Sequence, residues 1–154
     1  MFTGCGTALV TPFRSDRSLD EDTLRKLVRR QIDLGINFLV PCGTTGESPT
    51  LKPSEHERVV QITVQEAAGK VPVLAGAGGY NTAEVIAMAQ QMEALGANGV
   101  LSVTPYYNKP TQEGLYRHFM TIADGVGLPI VLYNIPGRTN VTMSPDTVAR
   151  LYAH

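Results

Sequence analysis

Four short clusters in this chain hold residues able to do chemistry. The first is Gly43-Thr44-Thr45-Gly46-Glu47-Ser48. Its two glycines let the backbone approach a ligand closely, and its two hydroxyls with nearby amides offer donors to a carboxylate. No Gly-Lys-Ser/Thr follows, which excludes a phosphate-binding P-loop; a plain turn leading into a helix is the competing reading. The second is Ala75-Gly76-Ala77-Gly78-Gly79-Tyr80, which lacks the full dinucleotide spacing and reads as a loop with a helix cap. The third, Thr104-Pro105-Tyr106-Tyr107-Asn108-Lys109-Pro110, puts two tyrosines side by side. Adjacent strand residues point to opposite sides, so one ring can pack while the other carries a proton, although core packing is the simpler reading. The fourth is Tyr133-Asn134-Ile135-Pro136-Gly137-Arg138-Thr139. There a phenol near a strand end precedes a guanidinium suited to gripping a carboxylate with two hydrogen bonds. A free phenol, with a pKa of about 10, is a poor base near neutrality. It can still pass a proton along a chain of hydroxyls that includes Thr44 and a second tyrosine.

The elements that must position these clusters are legible from hydropathy. Apolar runs at Gly6–Phe13, Asn37–Gly43, Val71–Gly78, Gly99–Tyr107 and Pro129–Pro136 predict strands of about eight residues, buried on both faces. Helix punctuation fills the gaps. Ser18, Ser54 and Asn81 each stand three residues before an acid, Thr111 and Ser144 are further caps, and Pro145 suits a first helical position. Stops fall at Gly35, Gly69, Gly96, and Gly125 or Gly127. In the first helix Leu24, Leu27, Val28, Gln31, Ile32 and Gly35 share a face, leaving Arg25, Lys26, Arg29 and Arg30 as a solvated surface. Leu34-Gly35-Ile36-Asn37 returns as Leu95-Gly96-Ala97-Asn98, and Val71-Pro72-Val73-Leu74 is echoed by Leu128-Pro129-Ile130-Val131-Leu132. Repetition every two strand–helix units, with polar loops after four successive strands, predicts an α/β chain of the (β/α)₈ barrel class, of which about five βα units are present. A doubly wound open sheet, with its site at one switch point, is the alternative.

Composition narrows the function classes. With 43% hydrophobic and 18% charged residues, the chain is a globular one rather than a disordered one. A formal net charge of −1 gives no electrostatic case for nucleic acid or an anionic membrane. No apolar run approaches the roughly 20 residues that span a bilayer. Met1-Phe2-Thr3-Gly4 runs almost directly into a strand, so no signal peptide is expected and the location expected is cytoplasmic. Cys5 and Cys42 lie in apolar segments and are expected as buried free thiols. His56, His118 and His154 share no metal-ligand spacing, so neither metal nor cofactor is expected.

The motifs Gly43-Thr44-Thr45-Gly46-Glu47, Pro105-Tyr106-Tyr107-Asn108 and Tyr133-Asn134-Ile135-Pro136-Gly137-Arg138-Thr139 resemble, in order, those of the dihydrodipicolinate synthase family. The similarity runs through essentially the whole chain. The first motif alone indicates the wider group of Schiff-base aldolases that includes N-acetylneuraminate lyase; the paired threonines, the Tyr-Tyr-Asn and Arg138 favour the synthase. The resemblance implies a lyase of lysine and diaminopimelate biosynthesis, in which pyruvate forms a Schiff base with a lysine and attacks aspartate semialdehyde. It implies a proton relay of Tyr133, Thr44 and Tyr107, with Tyr107 entering a neighbouring subunit's site in a homotetramer built as a dimer of dimers. It gives Thr45 the pyruvate carboxylate, and Arg138 the site entrance and the semialdehyde's carboxylate. It also places a feedback site for lysine at Ser48, His56, Glu84 and Tyr106, where Tyr80 departs from the asparagine usual in lysine-sensitive members; Glu84 serves equally well as a capping acid.

A Schiff-base lysine must be unprotonated, hence desolvated. Lys26, Lys52, Lys70 and Lys109 all fall on charged faces or in loops. The family carries this lysine on its sixth strand, whereas residues 1–154 end within the preceding helix, and a (β/α)₈ domain takes about 250 residues. The expectation is the N-terminal part of a single barrel domain, from an incomplete coding sequence, inactive by itself. A non-catalytic half-barrel serving assembly is the competing hypothesis.

Overall fold

Five parallel strands alternate with helices along the chain. The computed structural model describes residues 2–153; Met1 and His154 lie outside the described residues. The order is β1 (Gly6–Ala8), α1 (Glu21–Asp33), β2 (Phe38–Val40), α2 (Pro53–Ala67), β3 (Leu74–Gly76), α3 (Thr82–Ala94), β4 (Gly99–Val103), α4 (Gln112–Gly125), β5 (Ile130–Tyr133), α5 (Pro136–Thr139) and α6 (Pro145–Tyr152). A 3₁₀ turn at Ser48–Thr50 precedes α2.

The strands are three to five residues long, shorter than their apolar runs. Pro41, Pro105 and Pro136 follow closely and carry no N–H for a ladder, so the chain leaves the sheet there to form loops. β1 pairs with β2 (Thr7 opposite Leu39), and β3, β4 and β5 pair in turn (Ala75 opposite Val100, Val100 opposite Ile130). A parallel bridge from Leu39 to Val73 joins the two groups. Strand order in space therefore follows strand order in sequence, without the reversal that marks a doubly wound sheet.

The main core packs Leu24 and Val28 of α1, Val59 and Ile62 of α2, and Met92 of α3 onto Leu39 and Val100 of the strands. A second cluster packs Leu115, Phe119 and Ile122 of α4 against Val85, Val141 and Met143. Each such side chain contributes about 1.5–3 kcal/mol by leaving water. β5 departs from the expectation of strands buried on both faces. Val131 is 36% exposed and Ile130, Leu132 and Tyr133 are half-buried, because β4 is its one ladder neighbour.

Local corrections follow from competition between neighbouring groups. Asp20, not Ser18, caps α1: its carboxylate accepts from the Thr23 amide at 3.1 Å, while Ser18 is occupied with Asp16. Pro53 starts α2 one residue before Ser54, and Glu55 accepts from the Lys52 amide at 2.9 Å. Asn81, Thr111 and Ser144 cap as expected. Arg25 and Arg29 are not simply solvated, since both donate to Glu66 of α2 and hold its carboxyl below the usual range. Both cysteines are free, but only Cys42 is buried; Cys5 is exposed.

Candidate active site

The C-terminal ends of β2 to β5 open onto one cavity of about 240 Å³. Each strand delivers its cluster there because the chain turns out of the sheet immediately beyond it. Thr44 comes from the loop after β2, and Tyr133 from the last residue of β5. Their hydroxyl oxygens lie 3.3 Å apart, a hydrogen bond that links residues 89 apart in sequence. Leu101 and Val103 of β4 and Ile135 give the cavity an apolar wall.

Arg138 also lines the cavity. The strand expected through Pro136 stops at Tyr133, and Pro136–Thr139 form one helical turn that carries Arg138 past the strand end. Buried Thr139 fastens this turn by donating to the Ile135 and Val141 carbonyls at 3.1 and 3.0 Å.

Thr45 and Tyr107 do not line the cavity. Thr45 is exposed in the turn beside Thr44, and Tyr107 is 82% exposed. The core reading for the tyrosine pair is wrong for both rings, since Tyr106 is 40% exposed. Their rings instead meet Tyr80, edge-to-face for Tyr106 with centres 5.2 Å apart and tilted for Tyr107 at 5.7 Å, and Tyr106 also lines the cavity. The chain leaves the sheet at Val103, so the strand alternation assumed for them does not apply.

Ser48 and His56 line a second groove between α2 and α3, together with Glu57, Met88 and Gln91. Glu84 is exposed and accepts from Asn81 Nδ2 at 2.9 Å, so it serves the cap of α3. Burial lowers the pKa of His56. Burial also pushes the Cys42 thiol up to about 12, which makes it inert as a nucleophile. Lys26, Lys52, Lys70 and Lys109 are exposed and none reaches the main cavity. Among the described residues, no three His, Cys, Asp or Glu side chains converge as a metal site, and no helix is long and apolar enough to cross a membrane.

One residue absent from the sequence reading borders this site. Thr11, 5% exposed, donates from Oγ1 to the Gly46 carbonyl at 2.7 Å. A threonine before proline at the end of the first apolar run was the available signal.

A family model described as the dihydrodipicolinate synthetase family matches residues 1–154. A curated 4-hydroxy-tetrahydrodipicolinate synthase of Pelobacter propionicus is 57% identical, over all of this chain and 53% of that protein. The crystal structure of dihydrodipicolinate synthase from Thermotoga maritima, 52% identical, superposes with a TM-score of 0.96 over 99% of this chain and 52% of that one. The chloride-inhibited enzyme of Acinetobacter baumannii complexed with pyruvate, 46% identical, also gives 0.96, over 98% of this chain and 52% of that one. The chain spans about half the length of the curated relatives it matches. Its five strand–helix units are the N-terminal part of a (β/α)₈ barrel.

Proposed function

The chain belongs to the dihydrodipicolinate synthetase family, and we propose that it supplies the proton-relay side of a 4-hydroxy-tetrahydrodipicolinate synthase site. The Schiff-base lysine comes from a sixth strand beyond these residues. The observation that carries this reading is the 3.3 Å contact between Thr44 and Tyr133 in a cavity that Arg138 also lines. In the complete site the lysine amine attacks the pyruvate keto carbon and expels water. The resulting iminium acidifies the methyl group, which loses a proton to give the enamine that adds to the aldehyde of aspartate semialdehyde. The Tyr133 hydroxyl, backed by Thr44, moves protons to and from the oxygen that leaves as water. Thr45 offers its hydroxyl and amide to the pyruvate carboxylate, and Arg138 takes the carboxylate of the aldehyde substrate. Tyr107 stands too far into solvent to serve its own cavity and completes the relay of a second copy, in a cytoplasmic homotetramer.

The reading is tested with a chimera in which these residues replace the N-terminal half of the Pelobacter propionicus relative. Condensation of pyruvate with aspartate semialdehyde is the expected result. Turnover confined to a sugar-type aldehyde points instead to an N-acetylneuraminate-lyase-like activity and contradicts it. The same chimera tests regulation. The Tyr80 ring meets Tyr106 edge-to-face, and Glu84 is engaged with Asn81, so lysine should inhibit weakly or not at all. Half-inhibition at micromolar lysine would refute this.

A further inference from the structure

The turn that presents Thr44 and Thr45 is held from outside. It closes on itself through the Gly46 amide to the Gly43 carbonyl and the Glu47 amide to the Thr44 carbonyl, each at 3.1 Å. Its flanks are unfavourable. Cys42 and Glu47 adopt φ of 56° and 55°, the left-handed region that residues with a Cβ rarely occupy, and such backbone persists only where its surroundings hold it. Gly46 lies buried against the first strand's continuation: a Cβ there would stand 3.1 Å from the Cys42 nitrogen and the Leu9 carbonyl oxygen. On this buried side, the Thr11 hydroxyl donates to the Gly46 carbonyl at 2.7 Å, across 35 residues of sequence. The side chains of Thr44 and Thr45 are exposed and contribute little packing of their own.

We propose that Thr11 is a positioning residue, whose hydroxyl pins the Gly43–Gly46 turn to the segment that follows β1 and so holds the Thr44 hydroxyl at Tyr133. Its importance to catalysis rests on the function proposed above; the anchoring does not. Thr11→Val keeps the branched shape, removes the donor and leaves the buried Gly46 carbonyl unpaired. Thr11→Ser keeps the donor.

Hydrogen exchange followed by mass spectrometry on the 154-residue chain reads the anchor directly. In Thr11→Val, peptides over residues 43–48 should exchange about fivefold faster or more, the factor expected for one buried hydrogen bond. Peptides over α4 should keep the wild-type rate, and Thr11→Ser should restore the turn. The proposal is overturned by unchanged exchange at 43–48, by equal acceleration in α4, by failure of serine to rescue, or by a wild-type turn that already exchanges as free chain. Should Thr11→Val not fold, the wild-type turn and Thr11→Ser still decide it: serine must protect residues 43–48 as threonine does. In the chimera, Thr11→Val should lower kcat more than it raises KM for pyruvate. A chimera with no activity at all counts against the proposed reaction, while the exchange result stands apart from it.

Discussion

A phenol and an alcohol 3.3 Å apart make a relay only if the hydroxyl, not the ring, is what the site needs. Tyr133→Phe separates the two roles, because the ring and its packing stay. In the active chimera, losing a positioned acid–base group should lower turnover about 10²–10⁴-fold. A drop of less than threefold with the fold intact assigns Tyr133 to packing. A second residue-scale prediction concerns His118, which is 6% exposed, bonds Thr82 through Nδ1 at 2.8 Å and has no partner at Nε2. Burial pushes its pKa down to about 4 from an ordinary 6.5, so folding favours the neutral ring. The unfolded chain then binds the extra proton. Stability is fully present above pH 6.5 and is lost as the pH falls toward 4, by up to about 3 kcal/mol. His56 shifts in the same direction and adds to the slope. Urea midpoints at pH 7.0 and 4.5 should differ clearly, and the difference should shrink in His118→Gln; equal midpoints contradict the assignment. The polar clusters after successive strands were legible, and Thr44, Tyr133 and Arg138 do line one cavity, whereas Thr45 and Tyr107 lie outside it. Thr11 left only a threonine–proline pair as its signal, since its hydroxyl serves a backbone carbonyl 35 residues away.

At the scale of elements, every strand and helix expected is present in the expected order, because burial periodicity and caps are local signals. The boundaries moved where two local signals compete. Asp20 outbids Ser18 with a charged acceptor, Pro53 starts α2 early, and prolines after β2, β4 and β5 stop the ladders short. The four-residue α5 was missed because a Pro-Gly-Arg-Thr turn is too short to show a period. The Arg25 and Arg29 pairing with Glu66 also lay beyond sequence reading, since it depends on how α1 and α2 face each other. Leu24 of α1 is fully buried in the main core, so Leu24→Ala should cost about 2–5 kcal/mol by lost transfer energy and a cavity. A urea midpoint within error of wild type would show that the core relaxes around the gap.

For the molecule as a whole, sequential strand order and a shared rim explain why a barrel was readable from five units, while burial on both faces of β5 was not borne out. β1 and β5 each have one ladder neighbour, and Val131 of β5 and Val148 and Tyr152 of α6 are exposed. Open edges and such side chains favour association, so the chain alone should elute from size exclusion above monomer mass or as a broad distribution. A sharp, stable monomer contradicts that. The function proposed above gives this chain the proton relay and a later strand the nucleophile. It is tested most directly by incubating the chain and the chimera with pyruvate, reducing with borohydride and measuring intact and peptide masses. One pyruvyl adduct per active chimera, mapped to a lysine of the relative's C-terminal half, is expected, and none on the 154-residue chain. A stoichiometric adduct on Lys26, Lys52, Lys70 or Lys109, accompanied by turnover, would contradict it.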